Sequence, residues 1–144
     1  MTQSPVVGTW KLASLESRTS DGNVVYPAGP DPVGYIMYNE DGYMSVAFMA
    51  ADRTAFASGD IRGGSAEERT AAFDTYLSYC GTYEVQGNKV IHHIEVSLFP
   101  NWTGVSLERF FELDGDKLSL STPPILQGGI ERTSHLIWER VGPS

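Results

Sequence analysis

Apolar and polar residues alternate every second position through most of the chain, and clusters of Gly, Pro, Asn and Asp interrupt the alternation at short intervals. This is the pattern of half-buried strands in an antiparallel sheet or barrel. It predicts strands near residues 7–17, 34–39, 43–49, 82–86, 89–98, 104–113, 117–121 and 132–140. Asn39-Glu-Asp-Gly42, Gly87-Asn88 and Asp114-Gly115 supply the residues that tolerate positive φ in tight hairpins, so successive strands should be neighbours. Pro27, Pro30 and Pro32 lack backbone donors, which makes Pro27–Pro32 a loop between the first two long strands. One segment departs from the two-residue period: Phe73, Tyr76, Leu77 and Cys80 fall at helical spacing and predict an amphipathic helix over 65–80. Ser65 and Glu68 fit a capping box, Glu67 and Glu68 suit the positive end of the helix dipole, and Gly81 can end the helix. Such a helix covers the barrel opening or packs on its wall. With the glycine-rich Ser58–Gly64 before it, it reads either as a lid or as a static cap.

Phasing each strand sorts its side chains into an inner and an outer set. Val90, His92, Ile94, Val96 and Leu98 form the apolar set of one strand, which places His92 inside. Glu108 and Glu112 mark the wet face of the next, so Leu107, Arg109, Phe111 and Leu113 face inward. Trp138 and Arg140 in the last strand, and Trp10 and Leu12 in the first, share the inner phase, as does Tyr83. A buried arginine needs a partner. Arg109 either stacks on tryptophan and donates to carbonyls, or anchors a carboxylate, enolate or phenolate on a ligand. His92 is either satisfied by a neighbouring tyrosine or carbonyl, or acts as a general acid/base beside Arg109. Met44, Tyr83, Phe111 and Trp138 are the remaining candidates for ligand contact.

Composition narrows the function. The 144 residues are 41% hydrophobic and 19% charged, which suits one globular domain over 1–144. The 18 acidic and 10 basic side chains give a formal charge of −8, which repels nucleic-acid phosphates and anionic lipid. Neither nucleic acid nor membrane is therefore an expected partner. Cys80 is the single cysteine, so no intramolecular disulfide forms, and it reads as a small buried hydrophobe in a cytoplasmic protein. The amino terminus lacks the features of a secretion signal, and Asn101-Trp-Thr103 then matches a glycosylation acceptor by coincidence. His93, Glu95 and His135 lie on the outer phase and do not converge, so no metal is expected. The absence of a phosphate loop and of a serine elbow argues against nucleotide cofactors and acyl-enzyme chemistry, and no cofactor is expected.

Gly8-Thr-Trp10, Asp41-Gly-Tyr-Met44, Gly81-Thr-Tyr83, the run His92–Trp102, Arg109, Leu113-Asp-Gly-Asp116 and Trp138-Glu-Arg140 together resemble the bacterial and fungal lipocalin-like domain family. The resemblance extends over nearly the whole chain. It includes a detail of true lipocalins, whose Gly-x-Trp on the first strand packs beneath an arginine from the last, positions matched here by Trp10 and Arg140. It implies an all-β fold, an eight-stranded antiparallel up-and-down barrel around a ligand cavity. Two functions fit that implication. One is binding of a small, largely apolar molecule, with Met44, Phe111 and Trp138 as lining and Arg109 and His92 as polar anchors. The other, since related small barrels in biosynthetic clusters act as cofactor-free cyclases or isomerases, is a cyclase, isomerase or dehydratase of secondary metabolism with His92 as acid/base and Arg109 as electrostatic stabiliser. A barrel filled by its own side chains, acting as an interaction module, is a third reading. A homodimer through the exposed helix face or a strand edge stays open.

Overall fold

A computed structural model of the protein describes residues 4–142. Ten strands form one antiparallel sheet: β1 (Gly8–Arg18), β2 (Val24–Val25), β3 (Val33–Tyr38), β4 (Tyr43–Met49), β5 (Tyr76–Gln86), β6 (Lys89–Ser97), β7 (Ser106–Asp114), β8 (Lys117–Ser121), β9 (Ile125–Gln127) and β10 (Ile130–Arg140). Their spatial order is β2-β1-β3-β4-β5-β6-β7-β8-β10-β9, and a further pairing of β1 with β10 closes the sheet. β1, β3 to β8 and β10 make a closed eight-stranded barrel, with the short β2 and β9 appended to β1 and β10. Closure leaves few free edges, because each wall strand lends its backbone groups to two neighbours.

The predicted hairpins form where the turn residues stand. Gly42, Gly87 and Gly115 take φ of +89°, +60° and +60°, and Asn39 closes its turn by donating to the Tyr43 carbonyl at 2.8 Å. These three tight turns all lie at one end of the barrel, where Val6, Trp10, Tyr38, Met44, Val90, Leu118 and Trp138 pack as a solid core. The long connections, 50–65, 98–105 and 122–124, lie at the other end.

The helix is shorter than the spacing predicts. α1 spans Ala66–Asp74 and begins at Ser65 with the expected reciprocal cap: Glu68 N donates to Ser65 Oγ at 3.1 Å, and Ser65 N donates to Glu68 Oε1 at 2.9 Å. It ends at Thr75, and Tyr76, Leu77 and Cys80 belong to β5. No residue of α1 is buried; Phe73 and Asp74, at its end, reach the rim of the interior cavity, which is as far as the helix covers the barrel. The chain turns to strand because β4 offers the seven positions Tyr43–Met49 for pairing, and only an extended segment beginning at Tyr76 can fill them.

Gly81, expected as a helix terminator, sits instead in a β-bulge. Cys80 faces Val96 and Gly81 faces Ile94, so Glu95 is skipped. The extra residue turns Val96 outward to 64% exposure, against its predicted inner phase. A Cβ on Gly81 would meet the His93 carbonyl oxygen and the Glu95 nitrogen, both of them backbone. Gly81→Ala is therefore expected to lower stability by roughly 1–3 kcal/mol through forced backbone movement, read as a lower urea midpoint.

Candidate functional site

Inside the open end lies a cavity of about 550 Å³, within the roughly 300–1,000 Å³ of small-molecule sites. Its walls come from alternate residues of the barrel strands: Leu15, Ile36, Val46, Leu120, Leu136 and Trp138 are aliphatic or aromatic and nearly all buried. An aromatic flank runs from β5 to the 3-10 turn Pro100–Trp102, where Tyr79 and Phe99 meet the Trp102 ring edge-on with centroids 5.9 and 5.4 Å away.

A buried polar cluster at this cavity draws on β5, β6 and β7. His92 is 1% exposed and bridges two tyrosines, with Nε2 2.7 Å from the Tyr38 hydroxyl and Nδ1 2.7 Å from the Tyr79 hydroxyl. Burial, then the charges of Arg109 and His93, lower its pKa from 6.5 to about 3. The ring is neutral near pH 7, so one nitrogen donates to a tyrosine oxygen and the other accepts from a tyrosine O–H. Burial likewise raises the pKa of both tyrosines, so they act as hydroxyls. With the proton on Nδ1, Tyr79 accepts from the ring and keeps its own proton free for the cavity.

Arg109 is 7% exposed and lines the same cavity. Its Nη1 donates to the Glu108 carbonyl at 3.1 Å, and among the described residues it makes no ion pair. Its charge opposes the rise that burial imposes on Tyr79. The Trp138 indole Nε1 is buried without a hydrogen-bond partner among the described residues.

Of the sequence candidates, His92, Arg109 and Trp138 thus share one cavity. Met44, Tyr83 and Phe111 do not line it. Met44 is buried in the closed-end core, Phe111 packs partly against that core, and the Tyr83 hydroxyl donates to the Asn39 carbonyl at 2.7 Å. All three lie near tight turns: phase settles which face a residue takes, whereas depth along the barrel is set by which end carries the short connections. Arg140 also lies at the closed end, its guanidinium 4.1 Å above the Trp10 ring and its Nη1 donating to the Val7 carbonyl at 2.9 Å. The sequence pattern does not single out Tyr38, Tyr79, Phe48 and Trp102, although Tyr79 would follow from continuing the phase of Tyr83 back along β5. On the outer face, His93 is bonded to Glu84 at 2.9 Å and to Ser106 at 2.7 Å, and His135 Nε2 lies 3.1 Å from Thr133 Oγ1.

A family model described as lipocalin-like domain matches residues 7–141. The chain belongs to the lipocalin-like domain family. Among curated proteins, this lipocalin-like domain is similar to the 4'-hydroxy-3'-methoxypropiophenone carrier protein of Aspergillus oryzae (strain ATCC 42149 / RIB 40), with 34% identity over 107 residues that cover 68% of this chain and 96% of the relative. Among solved structures, it is similar to a lipocalin-like protein from Bacteroides uniformis ATCC 8492, at 13% identity, a TM-score of 0.49 and coverage of 94% and 98% of the two chains. It is also similar to a single-residue mutant of the fluorescent protein UnaG, at 16% identity, a TM-score of 0.38 and coverage of 94% and 95%. Among the described residues of the lipocalin-like domain, no helix is long and apolar enough to cross a membrane.

Proposed function

We propose that the protein is a carrier of a small, largely apolar aromatic molecule, held in the barrel cavity. The observation that carries this reading is the cavity itself: about 550 Å³ of space among buried apolar and aromatic walls, into which Tyr79, His92 and Arg109 bring polar groups. The relative named as a carrier of a hydroxylated, methoxylated aryl ketone supports both the activity and the ligand class. Phe48, Trp102 and Trp138 would pack on the ring, while the Tyr79 hydroxyl and the Trp138 indole N–H would donate to ligand oxygens. Cys80, half-buried and single, fits a reducing cytoplasm.

Binding is favoured over acid–base catalysis by the state of His92. Both ring nitrogens are taken by tyrosine hydroxyls, and the low pKa keeps the ring from holding a proton near neutrality. A titration with 4'-hydroxy-3'-methoxypropiophenone is expected to quench tryptophan fluorescence saturably, since Trp102 and Trp138 stand at the cavity. Leu120→Trp, which fills the cavity, is expected to weaken that binding at least tenfold while unfolding stays cooperative. Equal affinity in the filled variant would place the ligand elsewhere and end this reading.

A further inference from the structure

The barrel wall is incomplete beside Arg109. The β7–β8 ladder runs from Asp114 opposite Lys117 only as far as Phe110 opposite Ser121. Beyond Ser121 the chain leaves β7: Thr122 donates to the Ser134 carbonyl at 3.0 Å, and Pro123 and Pro124 have no N–H to give. Residues 106–109 therefore pair with β6 alone. Phe111 N donates to Asn88 O at 2.9 Å and Val105 O accepts from Ile94 N at 2.9 Å, so the odd-numbered residues turn their backbone groups toward β6. Ser106 and Glu108 turn theirs toward the opening. The Arg109 Nη1 bond to the Glu108 carbonyl places the guanidinium at that unpaired edge.

A groove of about 570 Å³ lies outside this gap, lined by Ile91, His93, Ser106, Pro123 and Pro124 among others. Arg109, Trp102 and Ile125 border both this groove and the interior cavity, so the two spaces share one threshold. The two carboxylates that line the groove are otherwise engaged: Glu84 accepts from His93 at 2.9 Å, and Glu108 pairs with Lys89 at 3.5 Å. Among the described residues, Arg109 thus holds a buried positive charge without a carboxylate. Such a charge is costly unless something neutralises it.

We infer that the ligand supplies the missing charge: an aromatic carboxylate binds Arg109 at a lateral opening between β7 and Pro123–Ile125, with its ring in the cavity. This rests on the carrier reading and specifies the ligand end that the carrier reading leaves open. The planar guanidinium suits an oxyanion because it can donate two parallel N–H bonds.

The test compares 3,4-dimethoxybenzoate with its methyl ester, which has no ionisable group, at pH 7.5, each displacing the neutral fluorescent probe N-phenyl-1-naphthylamine. The acid is expected to bind at least tenfold more tightly than the ester, and Arg109→Gln is expected to abolish that preference while ester binding persists. Ile125→Glu places a carboxylate at the threshold, on an appended strand outside the closed barrel, and is expected to lower the ratio of acid to ester affinity about tenfold. That variant decides the matter if Arg109→Gln does not fold. Equal affinity for acid and ester in the wild type, or an acid preference untouched by both substitutions, would overturn the inference while the carrier reading stands. If neither the probe nor either compound binds, the carrier reading falls and takes the inference with it.

Discussion

Replacing His92 with Phe is expected to cost roughly 2–4 kcal/mol of folding stability, because it strands the buried Tyr38 hydroxyl at about 1–3 kcal/mol and removes the bonds of the ring to both tyrosines. Tyr38 is 1% exposed and does not line the cavity, so its hydroxyl cannot turn to water, whereas the Tyr79 hydroxyl can turn to the cavity. A urea denaturation series checks the loss, and adding Tyr38→Phe and Tyr79→Phe to the variant should recover part of it, since an apolar trio of similar shape leaves no orphan. The same residue sets an acid limb. His92 has a pKa of about 3 in the folded protein against 6.5 for the free side chain, so as pH falls below 6.5 the unfolded chain takes up a proton that the folded one refuses. Stability should then fall by up to about 1.4 kcal/mol per pH unit between pH 6.5 and about 3. His135, also lowered by burial, and the lowered carboxylates of Asp21, Glu68 and Glu84 add to the acid limb of both proteins. The difference between wild type and His92→Phe isolates His92. An equal slope in the two would show that the ring is not held neutral by its surroundings.

Trp10→Ala is expected to cost a further large amount, about 3–5 kcal/mol, as is usual when a buried tryptophan is truncated. Trp10 is fully buried, its indole Nε1 donates to the Val6 carbonyl at 2.9 Å, and the Arg140 guanidinium lies over its ring. Removing the ring opens the floor of the barrel, strips Arg140 of its stacking surface and frees the Val6 carbonyl. The φ of +139° at Gly8 and the closeness of Arg140 Nη1 to where a Cβ would stand show how tightly this floor is fitted. A two-probe urea titration should show a lower midpoint by both fluorescence and circular dichroism. Because the cavity lies at the other end, ligand affinity measured well below that midpoint should change little.

Much of the barrel was legible because a period of two stands out wherever a strand has one buried face, as in Val33–Tyr38, where exposed and buried residues alternate without a break. The helix was over-extended because Phe73, Tyr76, Leu77 and Cys80 satisfy helical spacing by chance across a boundary at Thr75. A signal against the long helix was present in the hairpin at Gly87-Asn88: a partner strand over 89–98 needs a mate reaching back well beyond residue 82. The strand pairing shows this directly, with Ser97 opposite Tyr79. His92 and Arg109 were legible as inward polar residues, and their environment was not, since Tyr38 lies 54 residues away from His92 in sequence. The same holds for the bulge at Gly81, which no local preference announces. Tyr83 and Phe111 have an inward phase in the sequence and Met44 has no clear one, yet none of the three lines the cavity, because position along the barrel axis is a coordinate that alternation does not encode.

The break in the wall beside β7 also bears on how this protein avoids sticking to itself. A short run of free backbone donors and acceptors is a template on which a foreign strand can grow. At Ser106–Arg109 the template is spoiled from both sides: Pro123 and Pro124 offer no donors across the gap, and the Glu108 carbonyl is already occupied by Arg109. Arg109 therefore serves as a plug, and a substitution that withdraws it would leave an adhesive seam along the flank of the barrel.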